Sequence, residues 1–506
     1  MPPASPAAAP IVIAAPGDLD ARRIREIAAG RLTELAPALL ADVDRQCHAA
    51  REVLAGGTPV YGVNTGMGAL SGVSLTEPEQ LAHQRNLLLA RAAGGPPWLD
   101  AADARAIIAV RLRTFLSGDS GVSAALCEQL ASLLESGAAP AVPRTGVGSA
   151  GEIIPLAHAF GPLVGIGHVL DRSGRAVPAA EALRDRGLGR YRLGPREGHA
   201  LLAGVPGATA LCLMRLAEAS TLEAAMESAA ALSIAAVRAS RDPYAAACAR
   251  GDSLHAEVLE RLRAAVGDLA EPRALQAPVS FRVAGPVLAH VLRAGQALAA
   301  AADRALAGVT DSPAFLNGRF TGTAGFHGID LAAHCDLLTA ALAHAAEVSA
   351  ARLHRLLDTR VTGLPAQLAA HPGPDAGLVA VHKRAVGEAH ALRRLAAVSP
   401  IGLVETSGGQ EDVQSFGWEA AEALRGALRH ARAVTACELL AGYRACSLSQ
   451  QAAPQGCLQV VARLAEVVGP VGADQPFGED IERIIGVLRT SGLRLTEGAN
   501  QPSAPA

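Results

Sequence analysis

The sequence predicts a mainly α protein: a long central helix bundle with a loop-rich N-terminal part. Half of the 506 residues are hydrophobic, enough to bury a large core. Ala, Leu and Arg dominate while β-branched runs are few, and several long stretches repeat apolar residues at helical spacing. Glycine-rich turns, by contrast, concentrate before about residue 200.

In chain order, residues 1–10 are Pro/Ala-rich and read as a disordered tail. Residues 11–200 form the loop-rich part, with turns at Gly62, Gly66 and Gly68 and at Gly146, Gly148 and Gly151 between shorter helices. Loops held on a rigid scaffold commonly carry sites, so the chemistry is expected there. Residues 201–495 form the bundle and the C-terminal helices. Val287, Val291, Leu298 and Leu306 mark one apolar face; Leu331 to Leu357, Leu378 to Val398 and Trp418 to Leu448 read the same way. Faces this wide must bury against one another. The end, 496–506, is again a disordered tail by composition.

Charge and spacing exclude several function classes. Net charge is -3, and no basic patch is interleaved with aromatics, so nucleic acid is not expected as a partner. Eight cysteines show no CxxC pair and read as reduced core residues. Fifteen histidines show no HExxH, and His327, His334 and Cys335 lack the spacing of a metal site, so no metal is expected. The apolar run Ala225 to Val237 carries Glu227 and is shorter than the ~20 residues a membrane span requires. The N-terminus has no charged region before its apolar stretch, and a cytoplasmic location is the expectation.

One loop and a series of short motifs point further. Tyr61-Gly62-Val63-Asn64-Thr65-Gly66-Met67-Gly68 resembles the YGVNTGFG loop of the histidine and phenylalanine ammonia-lyase and aminomutase family. Later segments follow the family's order: Gln84-Arg85-Asn86-Leu87, Val142-Pro143, Pro155-Leu156-Ala157-His158, Arg196-Glu197-Gly198, Thr310-Asp311-Ser312-Pro313, Phe326-His327-Gly328, Gly363-Leu364-Pro365, Gly409-Gln410-Glu411-Asp412 and Asp480-Ile481-Glu482. The resemblance runs from about Gly57 to Gly492. It implies a homotetramer whose active sites draw on several subunits, and a small carboxylate as substrate. It also implies a cofactor made from the chain itself, 4-methylideneimidazole-5-one (MIO), formed when an Ala-Ser-Gly triad cyclises and loses water. By the same resemblance Tyr61 is the base and Glu411 a second catalytic group. Arg282 holds the carboxylate, while Asn64, Phe326 and Gln410 line the substrate site.

The departures fall on the chemistry. Counted back from Pro155-Leu156, the triad reads Ser149-Ala150-Gly151, with alanine where the family's serine loses its hydroxyl. Ala203 replaces the amine-side asparagine, Val279 the second tyrosine and Pro286 a glutamine, while Arg91 stands where a histidine often sets ring selectivity. Tyr61 and Arg282 remain, a workable pair for proton abstraction from a carboxylate. The expectation is therefore an enzyme without MIO, using Tyr61 for elimination, isomerisation, cyclisation or conjugate addition, with Arg91 as a second cation facing the substrate. Two other readings stay open. In one, a gap placed differently gives Gly148-Ser149-Ala150, and MIO forms through Ser149 in a conventional ammonia-lyase or aminomutase. In the other, the chain is a non-catalytic paralogue that binds a ligand or partner.

Overall fold

Helices account for most of the chain in the computed structural model, which describes residues 9–148, 150–267, 271–402, 404–449, 453–490 and 493–495. Strands are short: a parallel pair Ile11–Ile13 with Thr33–Leu35, a three-stranded antiparallel set from Ala139–Pro140, His168–Leu170 and Ala176–Pro178, and the hairpin Ala314–Leu316 with Arg319–Thr321. The four longest helices are Pro206–Ala236, Ala284–Ala307, Ile329–Leu356 and Gly417–Leu448. Three of them fall within two residues or so of the stretches read from apolar spacing, and Val379–Arg393 is the fourth such stretch. Alanine and leucine are strong helix formers, and few positions in these runs lose rotamer freedom on entering a helix.

The chain divides into two units, and not at residue 200. One holds 1–214 together with 299–335 and 398–422; the other holds 215–298, 336–397 and 423–506. Neither unit is a single stretch of sequence. The cause is helix length: at 1.5 Å per residue, 32 residues extend ~48 Å, and all four long helices contribute residues to both units.

Within the first unit, the helix Ala101–Leu116 is buried along most of its length and packs on Ala21–Ala28 and Ala124–Glu135. Its Arg105 is buried and donates to the carbonyls of Ile27, Ala28 and Leu134. Those carbonyls lie in the last turns of the two neighbouring helices, where the i+4 N–H is missing; Ile27 and Leu134 also accept from the N–H groups of Gly30 and Gly137. Side chains start the helices where the sequence offers them: Asp20 accepts from Arg23 N, Ser123 from Leu126 N, and Thr76 with Glu79 closes a capping box. Deeper in, Arg111 meets Asp311 at 2.8 Å, and Ser120 donates to the same carboxylate at 2.6 Å.

In the second unit, stretches of three long helices converge on Glu438, which is 1% exposed. Its carboxylate accepts from Ser233, from Ser349 and from Nε and Nη2 of Arg352, at 2.6 and 2.9 Å. Tyr244 is buried and donates to the Phe281 carbonyl, tying the turn 242–244 to the helix Val279–Arg282.

Two expectations change in detail. The stretch 197–236 is long and apolar enough by composition to cross a membrane, which the shorter count from Ala225 missed; 83% of its most apolar window is buried inside the protein, as in a core helix. No disulfide joins the cysteines among the described residues; six are buried as expected, but Cys248 is exposed and Cys446 half-buried.

Candidate active site

The Tyr61 loop is organised by its own polar groups. Asn64 accepts from Val60 N at 2.6 Å and donates to the Thr58 carbonyl at 2.8 Å. Both ends of its amide are thus engaged inside the loop, and it does not line the cavity described below. Gly62 and Gly68 adopt φ of +68° and +60°, where a side chain is strained. A Cβ at Gly62 would also lie 2.3 Å from Cδ2 of His199, and one at Gly66 would lie 2.3 Å from the Leu70 carbonyl oxygen. The folded loop turns the phenol of Tyr61 back over its own end, where the Gly68 N–H donates to the phenolic oxygen at 2.8 Å.

Tyr61 borders a cavity of about 680 Å³, built entirely from the first unit. Ala150 and Gly151 line it from the turn preceding the helix Ile153–Phe160, and Ala203 and Gly204 from the end of Glu197–Leu202. Phe326 and His327 contribute another wall, and Gln410 and Glu411 a further one. Tyr61, Ala150, Gly151, Phe326, Gln410 and Glu411, read from widely separated motifs, are therefore brought together. Ser149 lies outside the described residues.

The buried charges nearby act as a frame. Arg111 bridges Asp311 to the Ala203 carbonyl, and Arg196 reaches the carbonyls of Ser120 and Pro313. Together they pin the segment 311–313 against 203–204. Glu152 is 4% exposed and accepts from the N–H groups of Gly207 and Ala208, both at 2.6 Å, at the start of the helix Pro206–Ala236. Burial outweighs those donors and pushes its carboxyl up to about 7. A folded-state value above the unfolded one means the native state holds the proton more tightly. The associated stability is present below pH ~4.5 and lost as pH rises towards 7, a contribution of at most about 3 kcal/mol. Glu152→Gln is expected to flatten that decline, which thermal melting of both proteins across this pH interval will show.

Glu411 lines the cavity and accepts from the Thr406 hydroxyl at 2.6 Å. Arg91 ends the helix Glu77–Arg91 and does not line the cavity; its Nη2 lies 3.8 Å from the Met67 sulfur. Burial pushes its guanidinium down, and the nearby Tyr61 and Glu411 raise it, which places all three in one local field. The cation expected to face the substrate is thus not among the cavity's residues and instead contacts Met67, which is. Arg282 belongs to the second unit, ends the helix Val279–Arg282 and is not among the cavity's residues. Among the described residues no group of three His, Cys, Asp or Glu side chains could hold a metal ion, and His327 serves as a lining residue.

His199 lines the cavity without having been singled out from sequence. It follows Gly198, where a Cβ would lie 2.1 Å from the Gln84 carbonyl oxygen; the close approach of the two helices seats His199 beside Tyr61. Its only sequence signal was a lone polar residue in an apolar run.

Comparisons with known proteins agree with this architecture. The sequence profile described as "Aromatic amino acid lyase" matches residues 19–466. A histidine ammonia-lyase of Shewanella pealeana is 30% identical over 498 residues, covering 95% of this chain and 97% of the relative. One from Streptomyces coelicolor is 32% identical over 463 residues, covering 86% and 88%. Among solved structures, the tyrosine aminomutase of Streptomyces globisporus superimposes with a TM-score of 0.88 at 25% identity, covering 95% of this chain and 97% of that one. The ergothionase of Treponema denticola, an ergothioneine-degrading enzyme solved with desmethyl-ergothioneine sulfonic acid, gives 0.88 at 23%, covering 95% and 99%.

Proposed function

This chain belongs to the aromatic amino acid lyase family, and from that premise we propose that it is a lyase working without MIO, with Tyr61 as the base acting on a small carboxylate. The observation that carries the reading is Ala150. The family's ring needs a hydroxyl to expel at the centre of its triad, and Ala150, lining the cavity beside Gly151, offers only a methyl group. The residues present do not fit the group.

What remains suits proton transfer. The Tyr61 oxygen, held by the Gly68 N–H and acting as the phenolate, takes a proton from the carbon adjacent to the one that bears the departing group and becomes the phenol. The C–H electron pair becomes the new C=C bond, and the leaving group departs with its own bonding pair. The backbone donor and the charge of Arg91 both stabilise negative charge on that oxygen. Without an electrophile to capture an amine, the favoured leaving group is one already fully cationic. Ergothioneine, named for the Treponema structure, carries such a quaternary ammonium and heads the substrates to try, followed by histidine, tyrosine and phenylalanine.

The carboxylate anchor is assigned to Arg282 of a second copy, in a cytoplasmic homotetramer. Leu275 and Val279, close to Arg282 in sequence, are 95% and 64% exposed, and Ile401 and Val404, near the Glu411 loop, are exposed as well. Apolar exposure around both groups suits surfaces that partner subunits cover.

Mass decides the cofactor question. Trypsin releases Thr145–Arg172, which spans the whole triad, and its mass is expected to equal that of the unmodified peptide. Cyclisation with dehydration would remove two waters, ~36 Da. That deficit would overturn the reading and install a conventional ammonia-lyase with MIO formed through Ser149.

A further inference from the structure

One imidazole interrupts an otherwise apolar stretch of the cavity wall. His199 lines it together with Val60, Met67, Leu202 and Ala203, and is only 2% exposed. The backbone is fixed, since the His199 N–H donates to Gln84 Oε1 at 2.9 Å. The ring is not: Nδ1 is buried with no hydrogen-bond partner among the described residues. Cδ2 and Nε2 face the space that Gly62 leaves by having no side chain. The ring also stands edge-on to Tyr61, with centroids 6.1 Å apart and planes at 88°. Burial, with Arg196, Arg91 and His83 nearby, pushes the imidazole down to about 3, so it is neutral at ordinary pH. A neutral imidazole offers one donor and one acceptor.

Buried polar side chains in native proteins nearly always have partners. A histidine kept for packing alone would have been seated against a carbonyl or hydroxyl, as Tyr244 is. We propose that His199 selects the substrate, favouring a carboxylate whose planar ring carries its own hydrogen-bonding atom, such as an azole N–H, over one with a plain phenyl ring. A phenyl ring would cover the imidazole and leave it unsatisfied, whereas an azole would complete it, and discrimination of this kind is large. Arg91, expected from the resemblance to influence ring choice, does not line the cavity, whereas His199 does.

The inference rests on the proposal that this cavity takes the carboxylate substrate, and its test reads binding rather than turnover. Trans-urocanate and trans-cinnamate share a propenoate arm and differ in the ring. Calorimetric titration of the assembled wild-type protein is expected to give urocanate an affinity at least about tenfold higher. His199→Leu is expected to abolish that preference while leaving cinnamate binding unchanged or tighter; His199→Gln, which keeps a donor and an acceptor, is expected to retain most of it. Melting curves verify that both variants are folded. Equal affinities in the wild type, no binding of either acid, or a preference that survives His199→Leu would each overturn the assignment. Turnover of Tyr61→Phe is read separately from these titrations and keeps the two proposals apart: a failed base assignment leaves the ring preference standing, and a failed ring preference leaves the base assignment standing.

Discussion

Tyr61→Phe is expected to lower turnover by ~10²–10⁴, the range a positioned acid or base contributes. The substitution removes one oxygen whose structural partner is the Gly68 N–H. Tyr61 itself is half-buried, so the loop loses a single hydrogen bond, worth ~1 kcal/mol, and the fold is expected to survive. The measurement is kcat/KM on whichever of the four trial substrates the wild type accepts, with melting temperature recorded in parallel. A large fall in rate with little change in melting assigns the proton transfer to this oxygen. Full activity in the variant would move the base to Glu411 or Asp412, which line the same cavity.

Glu438→Ala is expected to cost ~3–5 kcal/mol of stability, because it leaves a buried guanidinium without its counter-charge. Arg352 is 4% exposed and presents Nε and Nη2 to the Glu438 carboxylate. Ser233 and Ser349 would lose their acceptor in the same step. Equilibrium unfolding in urea measures the loss. The double replacement Glu438→Met with Arg352→Met removes both charges and is expected to recover much of it, since a well-packed apolar pair can match a buried ion pair. If the single variant were as stable as the wild type, this network would be of little energetic consequence.

The long helices were legible because their pattern is local. Leu331 to Leu357 and Trp418 to Leu448 carry apolar residues at a spacing that a helix alone can bury on one face, and the observed bounds, Ile329–Leu356 and Gly417–Leu448, follow. Tyr61, Phe326 and Glu411 were legible for another reason: each lies in a short motif whose resemblance places it, and all three line one cavity. Three features stayed hidden. The division into units depends on how long helices distribute their residues, which periodicity does not encode. The place of Arg91 against Met67 is a packing fact with no sequence signature. His199 sits in the run His199-Ala200-Leu201-Leu202 and looks like a core residue; unlike His83 and His255, which also carry an unpartnered ring nitrogen, it lines the cavity, a placement visible only once its surroundings are assembled.

The bond from the Gly68 amide to the Tyr61 oxygen means that the aim of the phenol is inherited from the peptide chain rather than from neighbouring side chains. Side chains on the chamber's walls, Ala203 among them, can therefore be exchanged without loosening what holds that oxygen in place.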